Sequence, residues 1–476
     1  MRATYAKSKL APLVVFMLAS ACSWSSFNDF KNNTPVHAFS NKAFGQLVAI
    51  SSNPADNTAI LATAGNPGDG SRYFQLLDGS ADPSGDPFGD QVCTLSKEDV
   101  AGGKGCLTSV KLAAVGTLTD LDDATHKSRQ RPSCVALGYG KTTSDPTVDF
   151  GPIVYCPEGH VFTLGAIDSG ADGTKGTGPT LTAAFENHDF ATITRIGISF
   201  ASLPSLGTAA NNPPLLMGDE ADNAAYIFTE IVAAKPPILV YQPKTANRFG
   251  AAVGLGVEAG QLLYVVGAPG AGKVYAFLHD LSKKTVDHVA CAGDGIGGTG
   301  DSLSVGDVDG DKLDDLVVSQ GGGSRVAQVY LGKDLPKTPL TADCGAAWPA
   351  STITLRCEEQ RGAGNCGQSD FGRAIAIGDL DKDGQNEVAI GAPKASADGT
   401  SGAGVVFLYT PSKGVGVADV RYLGRPESGA AFGSDVAIGK VGGEDTLAVA
   451  SPGKNASYVV WCTNLPGAPS GPRCRK

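Results

Sequence analysis

Short apolar runs, each bounded by Gly, Pro, Ser or Asp, follow one another along most of the chain. The clearest set lies within residues 371–409, where the runs cover Ala374–Gly378, Glu387–Ile390 and Gly404–Tyr409. Runs of this length and composition, placed between turn residues, predict β-strands. Stretches with helical periodicity are scarce, so the pattern predicts an all-β protein.

The order of strand, acidic loop, strand, turn and strand seen at 371–409 recurs along the chain in less regular copies. Aligning the first strands gives seven repeats, which begin near Phe44-Gly45, Val110–Leu118, Ile196-Gly197, Phe249-Gly250, Thr299-Gly300, Phe371-Gly372 and Phe432-Gly433. The second repeat has no Phe-Gly pair, and its other predicted strands are Ser133–Gly140, Gly151–Cys156 and Val161–Ala166.

Two of the predicted loops, 307–315 and 379–387, carry an acidic residue at positions one, three, five and nine. We call them the first and second acidic loops. Such carboxylates can converge on one point together with the carbonyl of position seven, and this number of oxygen ligands suits Ca²⁺. The predicted ligands are Asp307, Asp309, Asp311, the carbonyl of Leu313 and Asp315 in the first loop, and Asp379, Asp381, Asp383, the carbonyl of Gln385 and Glu387 in the second.

Position six of each loop must let the backbone turn, which favours glycine. Gly384 occupies it in the second loop, but Lys312 occupies it in the first, so we expect the first loop to be the more strained. An EF-hand would need a bidentate Glu at position twelve, where the chain has Val318 and Ile390. A solvated acidic turn without metal is the remaining alternative, and the recurrence of one spacing in two repeats favours a metal site.

The sequence FGRAIAIGDLDKDGQNEVAIGAP at 371–393 resembles the FG-GAP repeat of the integrin α-subunit β-propeller. In that family each repeat is one blade, and loops of the form D-x-D-x-D-G-x-x-D bind Ca²⁺ between the first two strands. The resemblance is most specific for the repeats that begin at 249, 299, 371 and 432. It implies a seven-bladed β-propeller of four-stranded antiparallel blades over 41–476, with two structural Ca²⁺ sites. A closed ring of sheets would also bury sheet faces and edges that a single repeat leaves exposed.

The start of the chain has the features of an export signal. Residues 1–21 combine basic residues with the short apolar run Leu10–Leu18, and Ala19-Ser20-Ala21-Cys22 resembles a bacterial lipobox. We therefore predict a lipoprotein signal peptide at 1–21 and lipidation of Cys22. The alternative is an ordinary signal peptide that is cleaved near Ala21, and either interpretation implies export.

A polar tether at 22–40 would follow, and its last part could add a strand to the domain. Ser23 after the lipidated cysteine favours the outer membrane. We therefore expect a lipoprotein of the cell envelope that faces the periplasm or the cell surface and contacts the membrane through its lipid.

The chain has eleven cysteines, so ten remain when Cys22 is set aside. Ten cysteines in an exported protein fit five disulfides. Sequence alone does not fix their connectivity, and local pairing is the simplest prediction because distant pairing would cross repeats. The predicted pairs are Cys93–Cys106, Cys134–Cys156, Cys291–Cys344, Cys357–Cys366 and Cys462–Cys474. Zinc binding is disfavoured because the chain has no C-x-x-C pair.

The remaining composition favours a binding protein over an enzyme. A net charge of −10 disfavours a nucleic-acid partner. The six histidines are scattered through predicted loops, and none lies in a known catalytic motif. By analogy with the integrin head, we expect blade loops that bind a protein or a glycan. A hydrolase or lyase with its site in the propeller channel and a scaffold subunit of an envelope complex are the alternatives.

Overall fold

Antiparallel four-stranded sheets make up the described part of the chain. In the computed structural model, the described residues are the strands given below together with most of the connecting segments from 215 to 460. Within these residues there are seven sheets of four strands each, and neighbouring strands pair antiparallel. The prediction of an all-β fold is confirmed.

The first strand of the chain, β1 (His37–Ser40), belongs to the last sheet. Sheet one contains β2 (Leu47–Ser52), β3 (Ala59–Gly65), β4 (Tyr73–Gly79) and β5 (Val92–Leu95). Sheet two contains β6 (Leu137–Lys141), β7 (Phe150–Cys156), β8 (His160–Leu164) and β9 (Leu181–Glu186). Sheet three contains β10 (Ile198–Phe200), β11 (Leu215–Asp219), β12 (Ala224–Phe228) and β13 (Ile238–Tyr241).

The later sheets repeat this order along the chain. Sheet four contains β14 (Val253–Glu258), β15 (Gln261–Ala268), β16 (Lys273–Asp280) and β17 (Thr285–Ala292). Sheet five contains β18 (Leu303–Gly306), β19 (Asp315–Ser319), β20 (Val326–Tyr330) and β21 (Thr354–Arg356). Sheet six contains β22 (Ile375–Gly378), β23 (Glu387–Ala392), β24 (Val405–Tyr409) and β25 (Arg421–Gly424). Sheet seven contains β26 (Val436–Val441), β27 (Glu444–Ser451) and β28 (Ala456–Val460), with β1 as its fourth strand.

Short 3₁₀ turns also lie at Gly332–Asp334, Cys366–Gln368 and Pro452–Lys454. Among the described residues, no helix is long and apolar enough to cross a membrane. The predicted signal peptide and Cys22 lie outside the described residues.

The two ends of the described chain meet in sheet seven. Strand β1 pairs with β28, with His37 opposite Val459 and Ser40 opposite Ala456. The sequence was compatible with an added strand at the end of the predicted tether, and β1 is such a strand. The last sheet is therefore completed by the first described strand.

The strand assignment of the second repeat needs a correction. The run Ser133–Gly140, predicted as a second strand, overlaps the first strand of its sheet, Leu137–Lys141, and the fourth strand is Leu181–Glu186. The run Val110–Leu118, predicted as the first strand, lies outside the described residues. The error arose because a short apolar run predicts a strand but does not indicate its position within the sheet.

Successive sheets contact one another through their first strands. Contacts join β10, β14, β18, β22 and β26 in series, and β26 also contacts β2, which contacts β6. The Asp435 carboxylate accepts a hydrogen bond from the Val48 backbone N–H at 2.9 Å, which links sheet seven to sheet one. The apolar core of the described residues lies between consecutive sheets, in clusters that join sheets three to four, four to five, five to six and six to seven.

Backbone meets backbone where one sheet lies against the next. A Cβ added to Gly391 of sheet six would lie 2.0 Å from the Gly433 carbonyl oxygen of sheet seven. The same arrangement joins Gly267 to Gly300. Gly433 has φ of 85°, a backbone conformation that favours glycine. The glycines of the Phe-Gly starts and of the strand ends therefore serve the contact between sheets.

Two of the predicted disulfides are present. Cys291–Cys344 and Cys357–Cys366 have S–S distances of 2.04 and 1.97 Å. The pairs Cys93–Cys106, Cys134–Cys156 and Cys462–Cys474 involve side chains outside the described residues and stay predictions.

Replacing Gly391 with alanine tests the contact between sheets. The new methyl group would meet a backbone carbonyl that cannot rotate away, and overpacking costs about 1–3 kcal/mol or more. Gly429→Ala is the control, because Gly429 has φ of 67° and open space around it, so it incurs only backbone strain of about 1 kcal/mol. We expect a larger fall in melting temperature for Gly391→Ala. An equal or smaller fall would contradict the role assigned to this glycine.

Candidate metal site

Both acidic loops join the first strand of a sheet to the second, as predicted. The first acidic loop leads from β18 to β19, and the second leads from β22 to β23. Each loop therefore begins where a short first strand ends beside the neighbouring sheet. Position nine is the first residue of the second strand in both cases.

The two loops share one pattern of hydrogen bonds. In each, the carboxylates at positions one, three and five accept the backbone N–H groups of positions six, five and seven. In the first loop these bonds run from Lys312 to Asp307 (2.9 Å), from Asp311 to Asp309 (3.1 Å) and from Leu313 to Asp311 (2.9 Å). In the second they run from Gly384 to Asp379 (3.1 Å), from Asp383 to Asp381 (3.2 Å) and from Gln385 to Asp383 (3.0 Å). The sequence spacing thus produces the same loop twice.

Three carboxylates converge in the first loop. One oxygen from each of Asp307, Asp309 and Asp311 lies within 4.8 Å of the others. Lys312 has φ of 70°, in the left-handed region that costs a residue with a Cβ about 1 kcal/mol. The expected strain is therefore located at the position where the second loop has glycine.

Asp315 at position nine stands apart from this cluster. Its side chain is fully buried, and its two oxygens accept the backbone N–H groups of Val308 and Gly332, each at 2.7 Å. Removal from water raises the pKa of Asp315 to about 7. In this structure Asp315 connects the start of the loop to the turn after β20.

In the second loop the converging oxygens come from Asp379, Asp381 and Glu387. Asp381 and Glu387 are buried, and one Glu387 oxygen accepts the Leu380 N–H at 2.9 Å. Asp383, which the sequence included in the ligand set, is outside this cluster. Positions one and three are thus shared by both clusters, while the third member differs.

Asp379 has a buried oxygen, Oδ1, with no hydrogen-bond partner. Burial is also the main cause that raises the pKa of this carboxyl, and the nearby acids Asp445, Asp383 and Asp381 raise it further. An unpaired buried carboxylate oxygen is costly, and a divalent cation would satisfy it. The donor set, which consists of oxygen atoms, fits a hard cation such as Ca²⁺ or Mg²⁺.

Position eight of each loop reaches the sheet before it. Asp314 accepts the Val257 N–H of sheet four at 2.6 Å, and Asn386 donates its amide N–H to the Asp307 carbonyl of sheet five at 2.6 Å. Asp445 of sheet seven accepts the Asp379 N–H at 2.9 Å. Position eight is therefore an acid, Asp314, where it accepts from an N–H group, and an amide, Asn386, where it donates to a carbonyl. The acidic loops are therefore attached to the junctions between sheets.

Lys333, which the sequence does not mark as part of the site, contacts the first acidic loop. Its ammonium group donates to Asp309 Oδ2 at 2.6 Å, although the two residues are 24 positions apart. Pairing with Asp309 raises the pKa of Lys333. A contact across the fold of this kind leaves no local signal in the sequence.

Four histidines lie in strands rather than in the predicted loops: His37 in β1, His160 in β8, His279 in β16 and His288 in β17. His279 in β16 is buried and shares a hydrogen bond with the Tyr264 hydroxyl, and burial lowers the pKa of this histidine. His288 in β17 packs against the rings of Tyr241 and Phe277. His279 therefore belongs to the core of sheet four, and the half-buried His288 to an aromatic contact between sheets three and four.

Comparison with known proteins gives one family match. Residues 371–409 match the FG-GAP repeat, which confirms the resemblance for the segment that holds the second acidic loop. No curated protein matches the chain. Among solved structures, the β-propeller domain of Cps50 (Swd1) from Myceliophteria thermophila is similar, with 10% identity, a TM-score of 0.44, and coverage of 89% of this chain and 97% of that one.

Replacing Asp315 with asparagine tests its role in holding the loop. The new amide would place an N–H group against a backbone N–H, and an unmet buried hydrogen bond costs about 1–3 kcal/mol. We expect that loss in unfolding experiments with chelator, and it should be larger at about pH 4 than at pH 8, because the raised pKa of Asp315 means that its ionisation costs the folded state stability. The control Asp311→Asn, at an exposed position, should change stability by less than about 0.5 kcal/mol. Equal stability of the two variants would contradict the assignment.

Proposed function

We propose that this chain is a lipid-anchored binding protein of the cell envelope, built as a seven-bladed propeller that Ca²⁺ stabilises. The observation that carries the proposal is the pair of matched acidic loops, one of which holds the buried and unpaired oxygen of Asp379. The match of residues 371–409 to the FG-GAP repeat supports the same interpretation.

The arrangement of sheets supports the propeller. The first strands contact one another in series from sheet three to sheet seven and on to sheets one and two. Pairing of β1 with β28 joins the first described strand to the last sheet, as closure of a propeller ring would require. Such a ring would leave only short, protected sheet edges.

Calcium would have a structural role. Asp307, Asp309 and Asp311 would hold one ion with the Leu313 carbonyl, while Asp315, whose two oxygens accept backbone N–H groups, would fix the loop. Asp379, Asp381 and Glu387 would hold the other with the Gln385 carbonyl, while Asp383, which accepts the Gln385 N–H, would fix the turn of the loop. Carboxylates that converge without a cation repel one another, and a divalent ion reverses the sign of that interaction. Since position eight of each loop bonds to the preceding sheet, the ion would stabilise the junction between blades.

The propeller would present its blade loops to a protein or a glycan. Binding is favoured over catalysis because the two clusters of acids already have a role as metal ligands. This assignment is an analogy with the integrin head, since a fold alone does not determine a ligand. Export and a lipid at Cys22 would place the binding surface at the outer membrane.

Chelation of calcium should destabilise the protein. An ion that binds only the folded state stabilises it by about 2.7 kcal/mol per site at a hundredfold excess over Kd. We expect EGTA to lower the melting temperature and Ca²⁺ to restore it, with Mg²⁺ much less effective. The double variant Asp309→Ala, Asp381→Ala should lose this response while circular dichroism still shows a β fold. A melting curve of the unmutated protein that is indifferent to EGTA would mean that the loops are only acidic turns.

Replacing Cys22 with alanine tests the anchor. The lipid attaches to the cysteine sulfur, so the variant should leave the membrane fraction and appear as a soluble exported protein. Cys93→Ala serves as the control for loss of a cysteine in the domain. Retention of Cys22→Ala in the membrane fraction would refute the lipobox interpretation.

A further inference from the structure

The two acidic loops differ in how far the protein satisfies its own carboxylates. In the first loop, both oxygens of Asp307 accept backbone N–H groups, from Gly310 at 2.7 Å and from Lys312 at 2.9 Å. In the second, Asp379 Oδ1 is buried and has no partner. Both carboxylate oxygens at position one therefore accept hydrogen bonds in the first loop, whereas one of the two lacks a hydrogen bond in the second.

Lys333 adds a second difference. It lies in the 3₁₀ turn Gly332–Asp334, and its ammonium group is 2.6 Å from Asp309 Oδ2, at position three of the first loop. A monovalent cation of the protein itself therefore already occupies one carboxylate of the converging set.

The backbone holds Lys333 in this place. The Gly332 N–H donates to Asp315 Oδ1 at 2.7 Å, so the turn that carries Lys333 is fixed to position nine of the same loop. The Lys333 side chain is 49% exposed. An ion pair as exposed as this is weak, so the ammonium group can move into solvent without disturbing the turn.

We infer that Lys333 is a tethered counter-ion of the first acidic loop, which a calcium ion must displace from Asp309, so that the chain has one weak and one tight calcium site. The inference rests on the proposed function, because it takes calcium as the ligand of both loops. The second loop binds calcium first, because coordination by the ion supplies the partner that the buried Asp379 Oδ1 lacks. The first loop fills at higher calcium, when the ion outcompetes Lys333.

The test is a calorimetric titration of the chelator-treated full chain with Ca²⁺. The unmutated protein should show two classes of site. Asp381→Asn should remove the tight class, and Asp309→Asn should remove the weak one. Lys333→Met should tighten the weak class by about fivefold, the upper range for an exposed ion pair, and leave the tight class unchanged. Lys333→Arg keeps the charge and should keep the weak class weak.

Lys312→Met is the matched control. It removes the same charge from an exposed position of the same loop, so it should tighten the weak class much less than Lys333→Met. An unchanged weak class in Lys333→Met, or equal tightening by the two variants, would overturn the inference and leave calcium binding intact. Absence of calcium binding in the unmutated protein would overturn the proposed function and this inference with it.

Discussion

The close approach of one sheet's backbone to the next is the constraint on which the rest of the structure depends. At the junction of sheets six and seven, Gly391 faces the Gly433 carbonyl at a distance that leaves no room for a Cβ. With the backbones this near, apolar side chains of the two sheets fill the space between them, and the described core consists of such layers. The first strands then lie side by side, and short polar side chains can reach across.

The acidic loops use this proximity. Asn386 at position eight of the second loop contacts the Asp307 carbonyl, which is position one of the first loop. Asp379 in turn is contacted by Asp445 of the next sheet. A loop that changed its conformation would therefore disturb the junction beside it. The unfavourable energy of converging carboxylates is thus placed where the contact between sheets is made.

Much of the fold and part of the site could be predicted from the sequence. Turn residues punctuate the strands, so the three runs predicted within 371–409 agree closely with β22, β23 and β24, and the acidic spacing located both loops. The fourth strand Leu181–Glu186 could not be placed, because a long connection separates it from β8. The contact of Lys333 with Asp309 was missed because it depends on the turn after β20, which the fold brings back to the loop. Asp315 occupies a ligand position in the sequence pattern, but in the structure it is buried and both of its oxygens accept hydrogen bonds from backbone N–H groups.

Anomalous difference density from crystals grown with Ca²⁺ would locate the ion. We predict a peak between the carboxylates of the second acidic loop, at about 2.3–2.6 Å from Asp379 Oδ1, the distance of calcium–oxygen bonds. This peak should persist at calcium concentrations where the peak in the first acidic loop, beside Lys333, has disappeared. Density without an anomalous signal at Asp379, at calcium concentrations well above those of the cell envelope, would contradict the claim that this loop is a metal site.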